Sequence, residues 1–231
     1  MEKVFCIGFP KTGTTSLERA LTLLDYNVCK GHYSNSHSNY LISLFVNKDF
    51  KEIDRIISYY DAFVDLPWGG TDFYLYLSKT YPDAKFIHTV RDPEKWYVSL
   101  ENMLTKLDKD KDKDQAMEVF HKNGRYGLIY YLERVLKIQK LSNEKGNIIN
   151  QYIQLNKEIN TFFEGSNYSY LNLSITEGDS WDVLCSFLNK EIPTLPFPSG
   201  NKGVVANSDA QKKRLKTKEF KRNFFFLFKK K

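Results

Sequence analysis

The sequence predicts an α/β protein, a three-layer fold with a central parallel sheet flanked by helices, and three observations carry that prediction. Over the first hundred residues, short apolar segments alternate with amphipathic helical ones, the order produced by parallel strands joined through helical crossovers. With 231 residues, 42% of them apolar, the chain is long enough to bury one full core. Strand-like segments also run straight into turns that open helices, the arrangement that places ligands beyond the carboxyl ends of an open sheet.

The first strand is residues 3–8, rich in aromatic and β-branched residues up to a glycine. From Thr14 onward Leu17, Ala20, Leu21 and Leu24 recur at helical spacing. Two polar helices fill residues 39–58, a second strand spans 61–65 and a helix spans 73–81. A third strand, 84–90, ends in Arg91-Asp92-Pro93. There Asp92 can cap and Pro93 can take the first helical position, so a helix starts at Pro93 and buries Trp96, Leu100 and Leu104. Helices then occupy 115–141 and 147–164, a last strand 168–173 and a short helix 180–188. Residues 108–114 alternate aspartate and lysine with nothing apolar to bury, which reads as a solvated loop or helix end.

Past Pro198 the composition turns lysine-rich, so one domain is expected over 1–198 and a basic aromatic tail over 199–231. Of 34 basic residues 11 lie in that tail, with only two of the 28 acidic ones, so the tail carries a net +9 and the body a net −3. The formal +6 of the whole chain therefore does not describe a basic nucleic-acid-binding surface. The tail, with Phe224, Phe225, Phe226, Leu227 and Phe228 among its lysines, is open to three readings: a closing helix, a disordered end, or a peripheral contact with an anionic membrane. Apolar runs reach only five residues, far below the roughly 20 of a membrane-spanning helix. Strand-like residues from position 3, with glycine and proline by position 10, leave no room for a secretory leader, and a cytoplasmic location is expected. Cys6, Cys29 and Cys185 have no metal-ligand spacing and read as buried free thiols.

The most informative segment is Gly8-Phe9-Pro10-Lys11-Thr12-Gly13-Thr14-Thr15-Ser16, between a strand and a helix. Backbone N–H groups of such a loop converge, the helix N-terminus adds partial positive charge, and the hydroxyls of Thr14, Thr15 and Ser16 can donate to phosphate oxygens. The Gly-x4-Gly spacing begins a Walker A motif, but Thr14 stands where the phosphate lysine belongs and the lysine lies earlier, at Lys11. The order Pro-Lys-x-Gly-Thr-Thr resembles instead the 5′-phosphosulfate loop of the P-loop sulfotransferases, which use 3′-phosphoadenosine 5′-phosphosulfate (PAPS). The segment from Phe86 to Ser99 is similar to that family's 3′-phosphate motif, a strand, then Arg91, then Ser99 eight positions on. Ser99 lies two helical turns beyond Asp92, on the same face, where it and Arg91 could flank one phosphate; the alternative is an ordinary capped helix start. Trp181, Leu184, Cys185, Phe187 and Leu188, followed by Pro193, Pro196-Phe197-Pro198 and Asn201, resemble the end of one branch of the family, with Trp181 and Phe197 as scaffold. Two departures stand out: Ser16 occupies a position usually held by tryptophan in cytosolic members, and their Arg-Lys-Gly segment has no counterpart after Asn201.

The resemblance implies a PAPS-dependent sulfotransferase that releases adenosine 3′,5′-bisphosphate. Its nucleotide would be held by Lys11, Thr12, Gly13, Thr14, Thr15 and Ser16 together with Arg91 and Ser99, and no metal is expected. A cation where charge builds on the leaving oxygen lowers the barrier, so Lys11 is the electrostatic catalyst. The acceptor hydroxyl must lose a proton. Cytosolic relatives use a histidine before Leu-Pro at a strand end; here Asp65-Leu66-Pro67 follows the 61–65 strand, making Asp65 the general-base candidate, with a turn aspartate as the alternative. His88 reads as a core residue, His32 and His37 belong to a polar 31–40 loop that could line the acceptor pocket, and His121 sits in a helical region. Two other readings remain at this point: a small-molecule kinase with Asp65 as a magnesium ligand, disfavoured by the position of Lys11, and a silent nucleotide-binding or membrane-docking module.

Overall fold

The computed structural model describes residues 2–31, 35–105, 116–138 and 145–199. Five strands form one sheet in the order β2-β3-β1-β4-β5, and every pair is parallel. They are β1 (Val4–Cys6), β2 (Val28–Lys30), β3 (Ala62–Val64), β4 (Lys85–Thr89) and β5 (Ser169–Leu173). Because successive strand side chains point to opposite faces, the sheet builds two cores. On one face Phe5 stacks between Phe63 and Phe86, with ring centroids 4.8 and 5.7 Å away. That face is covered by α2 (Asn35–Val46), α3 (Phe50–Ser58), α4 (Tyr74–Thr80), α5 (Pro93–Thr105) and α8 (Lys145–Glu164), through Leu41, Ile53, Leu77, Leu100 and Ile159. On the other face Val4, Cys6, Ala62, Val64 and Ile87 meet Leu17 and Leu21 of α1 (Thr14–Leu23) and Trp181 and Leu184 of α9 (Trp181–Leu188). The result is the expected three-layer architecture.

Local signals are realised where their partners are close in sequence. Asp92 Oδ1 accepts the Lys95 N–H at 2.9 Å, capping α5, and Trp96 and Leu100 are fully buried. All three cysteines are buried free thiols. Three elements differ from the sequence expectation. The edge strand β2 was not foreseen, since three residues show no periodicity and β3 alone among its neighbours fixes it. The expected 115–141 helix is interrupted at Gly124, whose φ of 62° is the left-handed conformation that ends helices. It becomes α6 (Ala116–Lys122) and α7 (Tyr126–Tyr130), which continues into a π-helical turn at Tyr131–Val135. Helix α2 begins at Asn35, so six of the ten residues of the expected 31–40 loop are helical.

The aspartate–lysine alternation and nearly all of the basic tail lie outside the described residues. At the end of the described chain Ser199 returns to α1, its carbonyl accepting from Arg19 Nη1 at 3.0 Å. Among the described residues no helix is long and apolar enough to cross a membrane.

Candidate active site

The loop after β1 is held in place by its backbone and by buried anchors. A Cβ on Gly8 would lie 2.1 Å from Thr89 Oγ1 and 2.5 Å from the Thr89 carbonyl oxygen, so only glycine lets β1 leave the sheet so close to β4. Lys11 and Gly13 both adopt left-handed backbone conformations, with φ of 75° and 104°. Alternation of this kind turns successive N–H groups toward one side and makes an anion-binding concavity. Thr12 is fully buried; its hydroxyl donates to the Phe9 carbonyl at 2.6 Å and lies 2.6 Å from the Thr89 hydroxyl. Trp96 Nε1 donates to the Pro10 carbonyl at 3.0 Å. The N-cap of α1 is Gly13, with no side chain to satisfy the first N–H groups, and the first turn contains no acidic residue. Helix geometry leaves those donors, at Thr14 and Thr15, without intrahelical acceptors.

Arg91 forms a second wall. Its Nη1 donates to the Lys11 carbonyl at 3.2 Å. Its backbone is clamped by Tyr152, whose hydroxyl accepts the Arg91 N–H and donates to the Arg91 carbonyl, both at 3.1 Å. Tyr152 in turn stacks on Trp96 with centroids 4.0 Å apart. Arg91 Nε is buried and has no hydrogen-bond partner among the described residues. Ser99 lies two turns along α5, half-buried, and does not line the cleft described below. The start of α5 is tied by a Lys95–Glu177 ion pair of 2.7 Å to the short 3-10 turn Ile175–Glu177, and Ile175 packs against Gly13.

Asp65 forms the third wall, directly after β3. Like Lys11 it is a non-glycine residue in the left-handed region, with φ of 68°. Aspartate tolerates that conformation better than most residues, and such backbone outliers gather at functional sites. A cis Leu66–Pro67 bond follows, and the Asp65 carbonyl accepts the Gly69 N–H at 3.0 Å. A Cβ on Gly31, at the end of β2, would lie 2.0 Å from the Leu66 carbonyl oxygen, so the chain after β2 passes directly beside this turn.

Strand order brings these three turns together. β1 is flanked by β3 and β4, so the ends carrying Lys11, Asp65 and Arg91 open side by side onto one cleft of about 1060 Å³. Of the residues singled out from the sequence, Lys11, Gly13, Thr14, Thr15, Ser16, Asp65 and Arg91 line it. The side chain of Thr12 is turned into the protein and Ser99 stands apart. At one end the wall is completed by Ile175, Asp179 and Phe197, where Phe197 also packs edge-on against Trp181 at 4.9 Å. Ser38, Asn39, Met103, Arg125 and Leu128 line the cleft as well. Ser38 and Asn39 belong to the 31–40 segment that the sequence marked as a possible pocket lining, and Phe197 carried a signal as scaffold; the others reach the cleft from elements whose position only packing determines.

No histidine is among the described residues lining the cleft. His88 is fully buried in β4, its Nδ1 2.7 Å from the Tyr170 hydroxyl, and burial pushes its pKa down to about 4. His37 is turned to the Lys30 carbonyl at 3.1 Å. His121 is exposed at the end of α6 and lies 3.9 Å from the Glu133 carboxylate, a partner the sequence did not indicate. Among the described residues no cluster of three or more His, Cys, Asp or Glu side chains could hold a metal ion.

A parallel sheet whose central strand runs through a glycine-containing loop into a helix, with the cleft at the switch of strand order, defines an α/β protein with its site at the carboxyl edge of the sheet. Over residues 3–205 the sequence matches the sulfotransferase domain, and the chain belongs to that family. It is also similar to Ava biosynthesis cluster protein M of Aspergillus versicolor, with 23% identity over 209 residues that cover 85% of this chain and 79% of that protein.

Proposed function

We propose that the chain transfers a sulfuryl group from PAPS to a hydroxyl or amine acceptor, and that residues 1–198 form the domain that does so. The observation supporting this reading is that one cleft is lined at once by the loop from Lys11 to Ser16, by Arg91 and by Asp65. The residues fit a nucleotide bearing two separated phosphates. The loop and the first turn of α1 offer N–H donors and hydroxyls to the 5′ side, and the unpartnered Nε of Arg91 offers a charged donor to the 3′-phosphate, to which Ser99, two turns along α5 and outside the cleft lining, would have to be brought by the bound nucleotide. When bound, PAPS supplies the sulfuryl group and a phosphate leaving group. Lys11 would neutralise charge on the leaving phosphate, and Asp65 would accept the proton of the acceptor hydroxyl. Likeness to a biosynthesis-cluster protein agrees with a small-molecule acceptor, and the Asp65-Leu66-Pro67 turn with the Trp181 segment supports membership of the branch that carries both.

Calorimetry tests the two-phosphate reading. Adenosine 3′,5′-bisphosphate should bind, and adenosine 5′-monophosphate about tenfold or more weakly, since it forfeits charge-assisted hydrogen bonds at Arg91. Equal affinities would refute a 3′-phosphate role for Arg91. Turnover of PAPS should persist in EDTA; activity lost to EDTA and restored by magnesium would favour phosphoryl transfer instead.

A further inference from the structure

The acceptor end of the cleft carries a cation that the nucleotide reading does not use. Arg125 lines the cleft, half-buried, in the turn between α6 and α7. Among the described residues no carboxylate or carbonyl pairs with its guanidinium. Its backbone, by contrast, is tightly held. Asn39 Nδ2 donates to the Gly124 carbonyl at 2.8 Å, and Asn39 Oδ1 accepts the Gly127 N–H at 3.2 Å, so one side chain of α2 clips the backbone on both sides of Arg125. Gly127 lets α7 press onto α2, because a Cβ there would lie 2.6 Å from Ser38 Oγ. The backbone that carries a side chain with five donors is thus fixed at a cleft wall.

The position of Arg125 relative to the proposed reacting groups follows from contacts already described. Arg91, the Lys95–Glu177 pair and Ile175 mark one end, beyond the loop. Asp65 and Leu66 adjoin Gly31, the following α2 is joined to Lys30 through His37, and α2 holds the Arg125 turn. Asp65 therefore stands between the loop and Arg125, on the side away from Arg91.

We infer that the acceptor is a hydroxy compound that also bears a carboxylate, and that Arg125 binds that carboxylate while the hydroxyl faces Asp65. The inference rests on the sulfuryl-transfer reading and names its substrate class. A guanidinium matches a carboxylate in charge and in its planar, two-pronged geometry. A single guanidinium compensates a singly charged group, whereas a dianionic phosphate would meet both the charge of the bound nucleotide and that of Asp65. Asp65 also sets the polarity: it repels the acceptor carboxylate and attracts the hydroxyl hydrogen. In the step itself, the acceptor oxygen forms a bond to sulfur as the bond from sulfur to the bridging phosphate oxygen breaks. The hydroxyl proton passes to Asp65, and adenosine 3′,5′-bisphosphate leaves with the bonding pair. Met103 and Leu128 give the carbon skeleton between the two ends an apolar wall.

The test uses the full chain and matched probes, aromatic and aliphatic hydroxy acids each paired with its methyl ester, incubated with PAPS and analysed by mass spectrometry for gain of one sulfuryl group. Acids should be preferred over their esters by about tenfold or more in kcat/KM. Arg125→Met should abolish that preference and Arg125→Lys should restore part of it, with the affinity for adenosine 3′,5′-bisphosphate unchanged in both. In calorimetry the preferred acid should bind the complex with adenosine 3′,5′-bisphosphate, and Arg125→Met should lose that binding. Esters sulfated as well as acids would overturn the inference, as would a preference that survives Arg125→Met, or no sulfation of any probe while the nucleotide still binds. Failure to bind the nucleotide at all would instead refute the sulfuryl-transfer reading.

Discussion

The stability of this protein should fall as pH drops below neutrality, and His88 should account for a separable part of the loss. The side chain is fully buried in β4. Tyr170 donates its single hydroxyl hydrogen to Asn160 Oδ1 at 2.5 Å, so its oxygen accepts from His88 Nδ1, which then carries the ring proton. A second proton would have to sit on Nε2, which is buried with no hydrogen-bond partner among the described residues. Burial therefore lowers the pKa from an ordinary 6.5 to about 4, an effect only partly offset by Asn160 and Asn156. The sign follows directly: between these values the unfolded chain binds a proton at His88 that the folded chain does not, so stability rises with pH across the window. The contribution is fully present above about pH 6.5, and moving from pH 7 to pH 5 removes about 2 kcal/mol of it. Urea denaturation of the wild type and His88→Gln at both pH values isolates this term, because the carboxylates and the other histidines titrate in both proteins. The wild type should lose about 2 kcal/mol more than the variant, equivalent to roughly 5 °C in Tm for a chain of this size. Equal losses would show that His88 is protonated within the fold, and the neutral network would be refuted.

Lys11→Met should preserve the fold, because the loop is anchored by Thr12, Trp96 and its own backbone, and lower sulfuryl transfer by about 100-fold or more; unchanged turnover would remove Lys11 from the chemistry. Asp65→Asn keeps the shape of the turn and removes the base, so kcat should fall steeply while nucleotide affinity stays within about twofold; collapse of nucleotide binding would make Asp65 a structural residue. Gly8→Ala drives a Cβ into the backbone of Thr89 and should cost about 1–3 kcal/mol in denaturant unfolding. The same substitution should weaken adenosine 3′,5′-bisphosphate binding in calorimetry, since Thr12 leans on the displaced Thr89, and a variant with wild-type stability and affinity would refute the close approach.

What the sequence determined by itself is local. Apolar periodicity marked β1, β3, β4 and β5 and the helices α1, α5 and α8, because strand alternation, helical spacing and the Asp92 cap each depend on residues within a few positions of one another. The glycine spacing and the lysine at position 11 likewise marked a loop between strand and helix, since a phosphate cradle is made from consecutive residues. Tertiary structure alone decided the rest. It set the strand order, which places the end of β3 and the end of β4 on either side of β1 and so brings Asp65 and Arg91 to one cleft with Lys11. It also decided that Lys11 and Asp65 are both held left-handed, that Thr12 turns inward, and that Arg125 is clipped into the wall by Asn39, a residue 86 positions earlier. The physical reason is that parallel strands pair only across long crossovers, so neighbours in the sheet are distant in sequence, and no local pattern records which turn will face which.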